Sequence, residues 1–215
     1  ITWGKDEKEF LHNLTVIFDR LREKNLKLNP TKCRFGMTQV EYCGHLITNE
    51  GITFSPEKIQ EVTDFQLPKN HGEMKSFLGL VGYFREHVPN FVTLVRPLQA
   101  LVQNYNKREK SQPIVWSETL TQHFMEVQEA IRNVHLLYHR VDEAQLRLYT
   151  DASHYGIGAY LCQIVRLGTE RQEQPLAFLS KTLSATECRW SVYEKEAYAI
   201  FYAFNKWEHY LRGPH

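Results

Sequence analysis

The residues best suited to chemistry in this chain are two carboxylates, Asp151 and Glu196. Leu146, Leu148 and Thr150 alternate with Arg147 and Tyr149, which predicts a strand. That strand carries Asp151 to its end, where a carboxylate can meet both solvent and a metal ion. Glu196 falls near the start of a predicted helix, with Ala197, Ile200, Phe201, Phe204 and Leu211 expected on its inner side. Glu194 is the competing acid, but two residues away on a helix it faces elsewhere. Hard oxygen donors from a strand end and a helix can converge on one divalent cation. Taken singly, a strand-end Asp is usually a turn former and a helical Glu a surface group. The pairing of the two is what argues for metal binding.

The elements that must position them follow from the same stretch. Residues 156–163 are rich in Ile, Tyr and Leu and follow a short His154-Tyr155 turn, so they pair back on the first strand as a hairpin. Gly156, Gly158 and Ala159 would leave room beside Asp151. A third apolar run, 175–179, precedes the helix. Tyr155, Tyr160, Trp190 and Tyr193 are expected to gather near the two acids, as stacking platforms or as core.

Upstream, Phe10, Leu14, Ile17, Phe18 and Leu21 recur at helical spacing, predicting an amphipathic helix over 6–24. Asp6, Glu7 and Glu9 serve its dipole and Asn25 ends it. A meander of short strands is expected over 32–35, 40–48 and 52–54, with Asn49-Glu50-Gly51 as a hairpin turn in which Gly51 takes positive φ. Ser55 and Pro56 start a short helix to residue 65. Residues 66–70 read as a linker. Met74, Phe77, Leu78, Val81 and Phe84 then form a helical stripe, followed by a helix over 91–103 and a polar loop over 104–112. Ser117 caps a further helix with Phe124, Val127, Ile131 and Val134 inward. The expected divisions are 1–66, 67–141 and 142–215.

Composition narrows the function classes. The 42% hydrophobic content excludes a disordered tail, and Lys+Arg 26 against Asp+Glu 25 leaves a net charge of +1. A nucleic-acid site must therefore be a local patch. Cys33, Cys43, Cys162 and Cys188 lie far apart without Cys-x-x-Cys spacing, which argues against a zinc site or disulfide framework and fits a reducing setting. No apolar run approaches the roughly 18 residues that span a bilayer. The first residue is Ile1 rather than Met, which suggests a fragment or processed product.

Several motifs together resemble the reverse transcriptase and ribonuclease H region of gypsy-class (Ty3-like) LTR-retrotransposon Pol polyproteins. They are Leu26-Lys-Leu-Asn-Pro-Thr-Lys-Cys-Arg-Phe35, Tyr42-Cys-Gly-His-Leu-Ile47, residues 72–91, Thr150-Asp151-Ala152-Ser153, Phe178-Leu-Ser-Lys-Thr-Leu183 and Tyr193-x-x-Glu196-Ala-x-Ala-Ile200. The resemblance implies a mixed α+β fold: a palm remnant with a β-meander, a helical thumb, and a ribonuclease H-like mixed sheet with a helix. It implies that Lys32 lies near an incoming nucleotide, that Tyr42, Cys43, Gly44 and His45 grip a primer end, and that Lys75 and Arg85 contact phosphates. Gly79 and Gly82, costing roughly 1 kcal/mol each in a helix, would admit another helix or a nucleic-acid backbone.

In that family Asp151 and Glu196 would be catalytic and hold Mg2+, or Mn2+, for two-metal hydrolysis of the RNA strand of an RNA:DNA hybrid. A third aspartate would follow the end of this sequence and the polymerase aspartates would precede Ile1. Residues 142–215 are therefore expected to form a truncated ribonuclease H domain with little or no hydrolysis of its own. The implied partners are template-primer and the remainder of the Pol polyprotein, or a second copy in a homodimer, with no membrane. The implied setting is a cytoplasmic virus-like particle or the nucleus. A domesticated or subunit-like protein that binds nucleic acid without catalysis is the alternative.

Overall fold

The computed structural model describes residues 1–103, 110–168 and 170–212, so the expected loop over 104–112 lies largely outside the described residues. The chain divides into two compact units, Ile1–Thr38 and Gln39–His215.

In the first unit, α1 spans Glu7–Glu23. Asp6 caps it by accepting the Glu9 N–H at 2.8 Å, and Asn25 leaves it at φ 53°. None of its residues is buried. Phe18 meets Phe35 edge to face at a centroid distance of 6.0 Å. The strand expected over 32–35 is absent. Asn29 instead caps a 3-10 turn, Pro30–Lys32, because Pro at the first position presets φ for a turn while its missing N–H cannot feed a ladder.

The second unit opens with β1 (Val40–Tyr42), β2 (His45–Ile47) and β3 (Gly51–Phe54). The strand expected over 40–48 is thus two strands, folded antiparallel about a Cys43-Gly44 turn whose residues take φ 50° and 76°. Gly51 does not supply positive φ to the next turn. That turn is closed by the Thr48 hydroxyl, which accepts the Glu50 and Gly51 N–H groups at 3.2 Å. Gly51 is needed for a different reason: a β carbon there would lie 2.1 Å from the Leu137 carbonyl oxygen. Leu137–Tyr138 forms β4, which pairs with β3 and gives an antiparallel sheet of order β1-β2-β3-β4.

Helices α2 (Pro56–Thr63), α3 (His71–Val81), α4 (Phe91–Ala100) and α5 (Glu118–Arg132) share one core. Phe54, Val62, Met74, Phe77, Phe84, Leu98, Phe124 and Ile131 are buried in it. Each such side chain contributes about 1.5–3 kcal/mol. Asn70 and Ser117 cap α3 and α5 by accepting the Glu73 and Leu120 N–H groups. The α2–α3 connection is tied down: Gln128 donates to the Val62, Thr63 and Phe65 carbonyls, and the Trp116 indole to that of Pro68. Gly79 and Gly82 have nothing within 4 Å of where a β carbon would stand, so no helix packs against them among the described residues.

A second antiparallel sheet, β5-β6-β7, comprises Gln145–Ala152, Gly156–Leu167 and Glu170–Thr182. After it come α6 (Val192–Lys206) and the short α7 (Glu208–Leu211). The buried side of α6 corrects the expectation. Ile200, Phe201 and Phe204 are 47%, 63% and 53% exposed, while Lys195, Ala199 and Ala203 face inward. Small alanines let the helix approach Ala159, Leu161 and Ile157 closely, and the bulky residues are left on the outer side. The buried Lys195 ammonium donates to the Cys188 carbonyl at 2.9 Å, which offsets part of its desolvation.

Candidate functional site

Asp151 is the penultimate residue of β5, and the β5–β6 hairpin has the expected pairing, with Asp151 opposite Gly158. The next residue across, on β7, is Ser180. Two small neighbours leave the exposed carboxylate open. Leu146 and Leu148 pack with Ala203 and Trp207, and Ala152 with Ala199, so these alternate residues face α6. Asp151, between them in parity, points from the opposite face. Along α6, Ala203 lies over Ala159 and Leu161, whereas Ala199 lies over Ile157, nearer the end of β5. Glu196 is one turn earlier still, half-buried, on the side of Ala199 and Ala203. The two carboxylates therefore reach the same end of the sheet from opposite faces. Carboxylates are the hard oxygen donors a divalent cation takes, and Asp151 has glycine beside it. Among the described residues no group of three His, Cys, Asp or Glu side chains is arranged to hold one.

Glu194 has a separate task. It closes a capping box with Ser191, accepting that residue's N–H at 2.7 Å, and these hydrogen bonds hold its carboxyl below the usual range. The expected gathering of aromatics does not occur. Tyr160 stacks between Tyr149 and Phe178 at 5.7 and 4.9 Å, Trp190 meets Tyr198 edge to face, and Tyr155 lies under Arg96. Burial pushes the Tyr160 hydroxyl well above its ordinary pKa and the Cys162 thiol up to about 11, so neither is a nucleophile.

The Tyr42–His45 turn is held from below by Tyr83, one turn past α3. The Tyr83 hydroxyl donates to the Cys43 carbonyl and lies 3.2 Å from His45 Nδ1. His45 packs on Phe54 and Tyr83, with His87 behind it at 6.0 Å. Desolvation lowers the His87 pKa, assisted by His45 and opposed by a contact from Nδ1 to the His135 carbonyl at 3.1 Å. Tyr42 remains 55% exposed and Cys43 is exposed, so the turn offers a rigid rim with free side chains. Lys75 and Arg85 are exposed on either side of the bare helical surface at Gly79 and Gly82, with the Arg85 guanidinium 5.5 Å from the Phe91 ring. Lys32, in the first unit, is exposed at the end of its 3-10 turn.

Sequence reasoning missed a polar cluster behind α6. Lys181 on β7 donates to both Glu187 carboxylate oxygens at 3.1 and 3.2 Å and lies 5.0 and 5.5 Å from the Tyr198 and Tyr202 rings. Burial works against the Lys181 charge, but the hydrogen bonds to Glu187 and Tyr198 outweigh it and raise its pKa. The Ser184 backbone N–H and then Lys181 hold the Glu187 carboxyl at about 2. The only signal for this was Ser184-x-x-Glu187, a capping-box spacing before a short turn.

Known proteins resemble this chain in sequence and in fold. Residues 116–215 match the RNase H-like domain found in reverse transcriptase. The chain is 31% identical over 205 residues to the retrovirus-related Pol polyprotein from transposon 297 of Drosophila melanogaster, covering 95% of this chain and 18% of that protein. It is 30% identical over 210 residues to the transposon Tf2-3 polyprotein of Schizosaccharomyces pombe, covering 98% of this chain and 15% of that protein. The chain thus spans less than a fifth of these relatives. Its fold is similar to that of the foamy viral protease-reverse transcriptase, solved with double-stranded DNA and with an RNA/DNA hybrid. The TM-score is 0.74 to each, at 24% and 23% identity, covering 95% of this chain and 34% and 26% of those chains.

Proposed function

Residues 116–215 belong to the RNase H-like domains found in reverse transcriptases, in a chain whose homologues are transposon Pol polyproteins, and from that premise we propose that this chain is the hybrid-holding part of such a polyprotein. Residues 1–66 are the end of the palm, 67–141 the thumb and 142–215 the nuclease domain. The parent copies RNA into DNA and hydrolyses the RNA strand.

The observation that supports this reading is the β5–β6 pairing that sets Gly158 beside the exposed Asp151, with the helix that bears Glu196 packed by Ala199 over the same end of the sheet. These two residues would hold a divalent ion, Mg2+ in the parent, which supplies an activated water and charge neutralisation on the scissile phosphate. The chain's own contribution is position: β5 pairing fixes Asp151, and packing of Ala199 and Ala203 fixes the helix that bears Glu196. The outer edge of β5 is unpaired among the described residues, which supports a further strand beside it bearing the third acid.

On the thumb, the bare surface at Gly79 and Gly82 favours close approach of a nucleic-acid backbone, with Lys75 and Arg85 on its phosphates. The Tyr42–His45 rim contacts the primer end and Lys32 the nucleotide side.

The test is cleavage of a labelled RNA:DNA hybrid with Mg2+ or Mn2+ by this chain, by a form extended C-terminally by one further strand, and by their Asp151→Asn variants. Cleavage by the extended form alone, lost on substitution, is the expected result. Hybrid binding without cleavage by either form would replace it with a non-catalytic binding role.

A further inference from the structure

We propose that Arg96, on the second turn of α4 and stacked on Tyr155, is a phosphate-binding residue for nucleic acid, so that the thumb-side helix helps to seat a strand at the Asp151 end of the nuclease sheet. The inference rests on the reading of this chain as one that holds a hybrid, and it needs no metal at Asp151.

The Arg96 side chain is exposed, yet it is held: its guanidinium carbon lies over the Tyr155 ring, 3.2 Å from the ring centroid. So close an approach leaves room only for a face-to-face arrangement. The N–H groups of a guanidinium lie in its plane, so they run parallel to the ring and out past its edge. None is used by the protein, for Arg96 makes no hydrogen bond or ion pair among the described residues. Arg20, Arg22 and Arg132, by contrast, are each paired with an acid three residues away. α4 carries no acidic residue that could neutralise Arg96. A cation held in place with an unused fork of donors matches two phosphate oxygens at once, and its side chain is ordered before a ligand arrives.

Both partners of the stack are fixed. The Ser153 hydroxyl accepts the Tyr155 and Gly156 N–H groups at 3.3 and 3.0 Å, and the Leu183 N–H donates to the Tyr155 carbonyl at 2.9 Å. The Val92 N–H donates to the Ser180 hydroxyl at 2.9 Å, which pins the first turn of α4 to β7. Tyr155 remains 45% exposed beside the His154 ring, so the stack is open to a large ligand. Asp151 and Ala152 pair with Gly158 and Ile157, which puts Tyr155 in the turn about two residues of strand, or about 7 Å, beyond Asp151. Phosphates recur every 3.4 Å or so of axis, about one per nucleotide of a strand. A strand held by Arg96 along this edge therefore reaches Asp151 within about two nucleotides.

The experiment is fluorescence anisotropy of a labelled RNA:DNA hybrid with the whole chain over a potassium chloride series, for the parent, Arg96→Gln and Tyr155→Leu, with thermal melts of all three. EDTA in every sample removes any contribution from metal. Loss of one phosphate contact is expected to weaken Arg96→Gln about threefold to tenfold and to lower the slope of log affinity against log salt by about 1, with the melting temperature unchanged. Tyr155→Leu keeps the charge and loses the stack, so its slope should match that of the parent while affinity falls about threefold. A parent-like slope in Arg96→Gln overturns the phosphate contact, whether affinity is unchanged or falls together with the melting temperature, since the stack would then only join α4 to the β5–β6 turn. Full parent affinity in Tyr155→Leu overturns the stacked platform. Either result, with the parent still binding, leaves the hybrid-holding reading in place. Failure of the parent itself to bind the hybrid refutes that reading and this inference with it.

Discussion

Replacing Glu187 with glutamine removes the charge that ties β7 to the turn before α6 while keeping size and shape. In the native fold its carboxylate accepts the Ser184 N–H at 2.6 Å and both Lys181 contacts, with the two side chains only 24% and 16% exposed. A carboxyl held at about 2 rather than 4.5 contributes at most about 3 kcal/mol, at about 1.4 kcal/mol per pH unit. Solvent that still reaches the pair trims this to about 2 kcal/mol. Because the native pKa is depressed, the contribution is fully present above pH 4.5 and is lost as the pH falls toward 2. Urea unfolding of the parent and E187Q should therefore differ by about 2 kcal/mol at pH 7 and by less than half that at about pH 3. A difference below about 0.5 kcal/mol at pH 7, or one of equal size at both pH values, would refute the account of this cluster.

Three further outcomes are expected. His87 is buried with its pKa below 6.5, so its contribution is complete above pH 6.5 and falls on acidification toward its native pKa. With His45, His135 and Glu86 retained, His87→Phe should flatten the loss of stability between pH 7 and 5 followed by circular dichroism. Gly51→Ala drives a β carbon into the Leu137 carbonyl and should cost about 2 kcal/mol or more by urea unfolding, through loss of the β3–β4 pairing. Gly79→Ala meets no neighbour and should stabilise the chain by about 0.5–1 kcal/mol, yet weaken RNA:DNA hybrid binding measured by fluorescence anisotropy; equal or tighter binding would remove the thumb surface from the proposed interface.

Much of the candidate site was legible because its signals are local. The alternation from Leu146 to Thr150 and the small residues after the turn were enough to predict the hairpin and the room beside Asp151; the pairing with Gly158 in particular came from the structure. Glu196 is half-buried on the inner side of α6 while Glu194 closes its capping box, but the apolar stripe by which Glu196 was chosen is not the one that packs. α6 carries apolar residues nearly all round, and periodicity alone cannot say whether Ile200, Phe201 and Phe204 or Ala199 and Ala203 meet the sheet. The aromatic gathering failed for a related reason: strand parity sent Tyr160 to the face opposite α6, away from Trp190.

The sequence by itself determined the starts of α1, α3, α5 and α6, since Asp6, Asn70, Ser117 and Ser191 each cap within one turn of their own position. It also determined the β5–β6 hairpin, whose partners are close along the chain. Tertiary structure alone decided that Leu137–Tyr138 joins the first sheet, that Gly51 is required by an approaching carbonyl, and that Arg96 lies over Tyr155. Caps and hairpins are settled by atoms a few residues apart. These contacts depend on which distant surface arrives with a complementary shape, and no short window of sequence contains both surfaces.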